Sequence, residues 1–275
     1  MIKTDTRPVG IFDSGLGGLC AVREALKILP NEDIIYFGDT GRVPYGSRSY
    51  ETIKKYAGQN VNFLMSKNVK IILAACGTVS SVAIDHLKEI SNIPIFGVVE
   101  PACEKAAAVA KETQNKNIGV IGTAATISKG TFKKYIAGLD PDCLVHSKAC
   151  PLFVPLVENG HIGDGDAITR LTAGYYLDAF RDLNLSSLIL GCTHYPMIQN
   201  IIHEVVGTNL IDAGLEAAHK LKKELTEKDM LNGTEKKGAL DIYISDEGIN
   251  FRDIASAFLG AGINCKITRI DIEKY

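Results

Sequence analysis

Val9-Gly-Ile-Phe-Asp-Ser-Gly-Leu-Gly-Gly18 joins a short apolar run to a glycine-rich turn. A helical pattern follows at once: Leu16, Leu19, Val22, Leu26 and Leu29 recur at helical spacing, and Pro30 ends them. Strand, tight turn and helix in that order make the opening of a βαβ unit. The same alternation continues outward. Further strand candidates are Ile34–Phe37, Lys70–Ala74, Ile95–Val98, Ile118–Ile121, Ser187–Leu190, Asn209–Asp212, Leu240–Ile244 and Lys266–Ile270, with helical patterns between them. Strands alternating with helices predict an α/β fold with mainly parallel sheet.

The opening stretch has an echo. Val9-Gly-Ile-Phe-Asp-Ser14 is similar to Ile118-Gly-Val-Ile-Gly-Thr123, and Ile72-Leu-Ala-Ala-Cys-Gly-Thr78 to Leu188-Ile-Leu-Gly-Cys-Thr193 with one gap. The first pair is 109 residues apart and the two cysteines are 116 apart. This weak repeat predicts two similar halves, each ending a strand in Cys followed by small polar residues. Open parallel sheets bind ligands at the carboxyl ends of their strands. Two such sheets facing each other across a cleft would set Cys76 and Cys192 on opposite walls.

The chain has 275 residues, enough for one or two domains at roughly 150 residues each. Apolar residues make up 46% and charged residues 23%, which excludes a disordered or fibrous chain. A net charge of -2 argues against nucleic acid or an anionic membrane as the main partner. No apolar run reaches the ~18 residues of a membrane span, and Met1–Gly10 is polar, unlike a secretory signal. Seven cysteines without a C-x-x-C pair argue against a disulfide framework, so the reducing cytoplasm is the expected compartment. Lys220–Lys237 is the most polar stretch and reads as a solvated helix end with a surface loop.

Several motifs carry competing readings. The turn Asp13–Gly18 has backbone N–H groups placed to hold an anion, or its glycines merely permit the turn. It is not a dinucleotide fingerprint, because the third glycine position after Gly15 and Gly17 falls on Cys20; no G-x-x-x-x-G-K-[ST] occurs either. Gly38-Asp-Thr-Gly-Arg-Val-Pro-Tyr-Gly46 is a polar loop of the kind that carries binding residues. Cys76 reads as a small buried hydrophobe or as a thiol made reactive near a helix start. Gly191-Cys-Thr-His-Tyr-Pro196 is more specific, since an imidazolium two residues from Cys192 favours its thiolate. A Cys–His hydrolase is a rival that leaves the Cys76 motif idle. Cys143-x-x-His146-x-x-x-Cys150 lacks a fourth ligand at zinc spacing, so no metal site is assigned. Cys20, Cys103 and Cys265 sit in apolar contexts and are expected in the core.

Two facing cysteines suit one reaction well. Inverting a carbon beside a carboxylate needs a base on one face and an acid on the other. A thiolate and a thiol supply that pair and exchange roles in the reverse direction. Their ordinary pKa of about 8.5 lets neighbours set either state. Polar backbone groups would bind the substrate carboxylate. This chemistry requires neither metal nor pyridoxal phosphate, so no cofactor is expected.

Val9–Gly18, Tyr36–Gly46, Ala74–Ser80, Ile95–Pro101, Ile118–Thr123, Ala149–Gly160 and Leu190–Pro196 together resemble the glutamate racemase family, in that family's order and over most of the chain to about residue 215. Pro151-Leu-Phe-Val-Pro-Leu-Val-Glu158 and Gly191–Pro196 are the most specific segments. The resemblance implies two α/β domains: residues 1–98 plus 210–275 on the Cys76 side, and 99–209 on the Cys192 side. It implies cofactor-independent racemisation of glutamate, with D-glutamate supplied to peptidoglycan synthesis. The partner would be a small amino acid, with neither nucleic acid nor membrane, and a homodimer is one assembly open to it. Cys76 and Cys192 would be the proton donors and acceptors, Cys76 for D-glutamate and Cys192 for L-glutamate. Asp13 would assist near Cys76 and His194 near Cys192, with Glu158 orienting the histidine. Asp13, Ser14, Tyr45, Gly46, Gly77, Thr78, Thr193 and His194 would surround the substrate.

One position departs from the pattern: Gly77 stands where the family usually has Asn. A missing carboxamide opens two alternatives, a racemase of another acidic amino acid or α-substituted acid, or a non-catalytic relative that binds an amino acid. A charge-assisted hydrogen bond is worth about 1.5–3 kcal/mol. Gly77→Asn is therefore expected to raise glutamate turnover, provided the backbone does not need positive φ there.

Overall fold

The computed structural model describes residues 4–248, 251–260 and 265–275; residues 1–3 of the polar start lie outside the described residues. Its strands are β1 (Val9–Asp13), β2 (Ile34–Gly38), β3 (Ile71–Ala74), β4 (Ile95–Gly97), β5 (Asn117–Gly122), β6 (Leu144–Ala149), β7 (Ser187–Leu190), β8 (Leu210–Asp212), β9 (Leu240–Ile244) and β10 (Lys266–Arg269). They form a six-stranded sheet, β10-β9-β2-β1-β3-β4, and a four-stranded sheet, β6-β5-β7-β8. Every described pairing is parallel. The central strands β1, β3 and β7 are buried along their whole length, as parallel strands covered by helices on both faces must be.

The echo in the sequence is a repeat in the topology. β1 pairs with β3, opposing Phe12 to Ala74, and β5 pairs with β7, opposing Ile121 to Leu190. Each half therefore carries one Ser/Thr-ended strand beside one Cys-ended strand. Ser14 and Cys76 follow β1 and β3; Thr123 and Cys192 follow β5 and β7.

Two sequence expectations need correction. β6 was not among the expected strands, because Leu-Val-His-Ser-Lys-Ala mixes polar and apolar residues. It is an edge strand whose side chains are all partly or fully exposed, so burial imposes no apolar run there. Its His146 bonds Asn117 through Nε2 at 3.1 Å, and among the described residues no three metal-ligating side chains converge. Second, Leu210–Asp212, expected with the first half, pairs with β7 in the smaller sheet. The chain returns to the larger sheet's side only with the helix Ala213–Glu227, which packs on the helix Leu19–Ile28. The segment then adds β9 and β10 to the sheet edge beyond β2.

Lys70, expected within a strand, lies just before β3. Its fully buried ammonium sits 2.5 Å from Glu32 Oε2 and donates to the Asp5 carbonyl at 2.7 Å. Glu32 Oε1 in turn accepts the Asn232 amide at 2.6 Å. This cluster ties the N-terminal and C-terminal segments together at the amino ends of β2 and β3, opposite the carboxyl ends.

Candidate active site

The carboxyl ends of the two sheets meet around a cleft of about 140 Å³. Ser14, Tyr45, Gly46, Cys76, Gly77 and Thr78 line it from one half; Thr193, His194 and Cys192 line it from the other. Two expected residues stand behind that lining. Asp13 is fully buried beneath the glycine turn, and Glu158 lies on the far side of His194.

Cys76 occupies the N-cap of the helix Gly77–Val82, so the strand end delivers its thiol directly to the cleft. The Cys76 thiol donates to Ser14 Oγ at 3.4 Å. Burial, reinforced by the negative charge of Asp13, pushes its pKa up to about 12. Asp13 Oδ2 accepts the Gly15 amide at 3.1 Å, while Oδ1 has no hydrogen-bond partner among the described residues. Burial raises the Asp13 pKa, opposed by the charge of His194 and by backbone N–H groups of the turn. The Gly15 amide of the turn thus serves the chain's own Asp13 carboxyl group.

On the other wall, His194 Nδ1 faces Cys192 Sγ at 3.8 Å and Nε2 meets Glu158 Oε1 at 3.0 Å. Phe258 presents its ring edge-on to the imidazole, 5.2 Å between centroids. Burial opposes a charge on His194, yet the Cys192 sulfur and the Glu158 carboxylate outweigh it and raise its pKa to about 10. The ring is therefore an imidazolium at neutral pH. Its positive charge faces the Cys192 sulfur.

Tyr45 lines the cleft, but its hydroxyl turns away from it. That hydroxyl donates to Asp39 and accepts from Asn60 Nδ2 at 3.2 Å. Asp39 also accepts from Arg42 Nε at 2.7 Å and from Ser245 Oγ at 2.8 Å. The loop after β2 is thus pinned to the end of β9 through a buried carboxylate.

Sequence reasoning missed Thr123 as a site residue. Its hydroxyl is 2.9 Å from that of Thr78, so the two halves are hydrogen-bonded at the cleft, and Thr126 adds a further bond to Thr78 at 3.4 Å. The repeat held the signal, because it aligns Thr123 with Ser14. The apolar lining residues Val43, Pro151 and Val154 carried no chemical signature of their own.

A family model described as Asp/Glu/Hydantoin racemase matches residues 21–221. A glutamate racemase of Geobacter metallireducens is 40% identical over 256 residues, covering 92% of this chain and 93% of that protein. One from Thermoanaerobacter pseudethanolicus is 40% identical over 98% of this chain and 100% of its own length. Among solved structures, glutamate racemase from Francisella tularensis in complex with D-glutamate superposes with a TM-score of 0.91 at 38% identity, covering 98% of this chain and 100% of that one. The Thermus thermophilus glutamate racemase in complex with beta-chloro-D-alanine gives 0.87 at 36% identity, over 98% and 99% of the two chains.

Proposed function

The chain belongs to the Asp/Glu/hydantoin racemase family and is an amino-acid racemase, and we propose that it interconverts L- and D-glutamate by passing the α-proton between Cys76 and Cys192. One observation carries this reading above the others. Two thiols at topologically equivalent strand ends, each with its own polar escort, line one cleft from opposite halves.

In the L-to-D direction the Cys192 sulfur, as thiolate, takes the α-proton, and the C–H electron pair stays on the carbon beside the carboxylate. The Cys76 thiol gives its proton to the opposite face of that carbon. The product is the inverted amino acid, with Cys76 left as thiolate and Cys192 as thiol. The resting environment suits this direction: Cys76 is held protonated, and an imidazolium faces Cys192. In the D-to-L direction Cys76 is the base, and Asp13 is the group beside it that assists its deprotonation. Glu158 keeps the imidazolium charged and aimed at Cys192.

Ser14, Thr78 and Thr193 supply hydroxyls, and Tyr45 and Gly46 backbone groups, to the two carboxylates and the ammonium group of glutamate. The reaction draws on no cofactor. Its product would enter peptidoglycan synthesis, a use that places the enzyme in the cytoplasm. No described helix is long and apolar enough to cross a membrane. The relatives named above favour glutamate over another acidic substrate.

The test is incubation with L- or D-glutamate in D₂O, scored for α-deuterium and for the opposite enantiomer. Each enantiomer should yield the other with solvent deuterium at the α-carbon, at a rate unchanged by dialysis against a chelator. Turnover of another acidic amino acid with none of glutamate would overturn the substrate assignment. A strict metal requirement would overturn the two-thiol chemistry.

A further inference from the structure

Three glycines of the first half abut the second half around the cleft. A Cβ at Gly17 would fall 2.6 Å from His194 Nδ1, and one at Gly46 would fall 2.7 Å from Thr123 Cβ. These neighbours are side-chain atoms, although Thr123 Cβ is fixed by its own backbone and His194 is held at both ring nitrogens. Gly77 differs. A Cβ there would fall well inside 3.0 Å of the Gly191 carbonyl oxygen, and the other nearby atoms are Gly191 C and Cys192 Cα, all backbone.

Neither side of this contact is free to yield. The Gly191 amide donates to the Ile121 carbonyl at 2.8 Å, which ties it to β5. On the other side, the Ala75 amide donates to the Phe12 carbonyl at 2.9 Å and the Ser80 amide to the Cys76 carbonyl at 2.8 Å. Gly77 is not among the glycines with positive φ, so backbone conformation is not what excludes a side chain. The obstacle is the facing carbonyl.

We infer that Gly77 is a positioning residue: lacking a side chain, it lets the Cys76 turn close onto the Gly191 carbonyl and thereby sets the spacing of the two thiols. Cys76 immediately precedes Gly77 and Cys192 immediately follows Gly191, so bulk at position 77 displaces one thiol relative to the other. The expectation that Asn at position 77 raises turnover is reversed. In this chain a carboxamide would hold the halves apart before it reached a substrate. A misplacement on the order of 1 Å between reacting groups costs about a hundredfold in rate.

The role of Gly77 in catalysis rests on the proposed racemisation, but its role in closure has a readout that needs no substrate. Gly77→Ala and Gly77→Asn are compared with the parent for thermal unfolding, for kcat and KM on both glutamate enantiomers, and for iodoacetamide labelling of Cys76 and Cys192 resolved by peptide mass spectrometry. Both thiols are nearly buried in the parent, with 5% and 8% exposure. The expected result is a folded Gly77→Ala protein with kcat down about a hundredfold, KM changed much less, and both thiols labelled faster. Parent-like kcat and labelling rates in Gly77→Ala would overturn the inference. So would higher glutamate turnover in Gly77→Asn, or an alanine variant unable to fold, which would assign Gly77 to folding instead. A parent with no glutamate turnover sinks the substrate reading alone, since the labelling rates still report closure.

Discussion

His194 Nε2 lies 3.0 Å from Glu158 Oε1 while the opposite ring nitrogen faces Cys192. The two contacts fix the ring at both ends. Histidine and glutamate come from separate elements: Glu158 ends the helix Phe153–Glu158, and His194 follows β7. Their pairing makes the charge on the imidazole a property of the folded state, and that charge has a pH dependence.

Glu158→Gln removes the carboxylate that helps hold His194 protonated. Losing a charge-assisted hydrogen bond of about 1.5–3 kcal/mol lowers the His194 pKa by roughly one to two pH units from its value near 10. The alkaline limb of kcat/KM with L-glutamate should move down by that amount. The sign for stability follows the same shift. His194 is raised above its unfolded pKa, so its contribution is full below about 6.5 and is lost as pH rises through about 10. In the variant it should be lost at lower pH. Rate profiles and urea midpoints across pH 6–11 check both; an unmoved alkaline limb would remove Glu158 from the mechanism.

Cys76→Ala and Cys192→Ala should each fold and each lose racemisation by about a hundredfold or more, the usual worth of a positioned acid or base. Proton-exchange assays separate them, because in the proposed mechanism each half-reaction needs its own thiol. Cys192→Ala should fail to exchange the α-hydrogen of L-glutamate, and Cys76→Ala that of D-glutamate. Full racemisation in either variant would make that cysteine a packing residue only.

Tyr45→Phe distinguishes a hydroxyl that touches substrate from one that holds a loop. The hydroxyl is engaged by Asp39 and Asn60, so its removal should lower stability by about 1.5–3 kcal/mol and raise KM modestly with kcat retained. A collapse of kcat at unchanged stability would mean that the hydroxyl turns to the substrate during turnover.

Lys70→Ala tests the buried ion pair. It leaves Glu32 charged and unpaired in the interior, a loss of about 3–5 kcal/mol. Calorimetry should show Tm lower by roughly 10 °C. Because the pair lies away from the cleft, kcat of the folded fraction should match the parent; a selective loss of kcat would couple this cluster to the site.

The alternation of apolar strands with amphipathic helices was legible from residues alone, since burial on both faces forces near-continuous Ile/Leu runs such as Ile71–Ala74 and Ser187–Leu190. So was the placement of Cys76 and Cys192 at one cleft, because a repeated strand-end motif leaves the same residues in the same register. Edge strand β6 was not, because an exposed edge places little demand on side-chain polarity. The direction of the Tyr45 hydroxyl and the hydrogen bond between Thr78 and Thr123 depend on segments far apart in the chain. Nor does any local pattern around Gly77 show the Gly191 carbonyl opposite it. Periodicity and composition record what each segment buries, and that is enough for the alternation of strands and helices. The fit of one half against the other is written in contacts across the seam, where the absence of a side chain matters as much as its presence, and only the packed chain brings those atoms together.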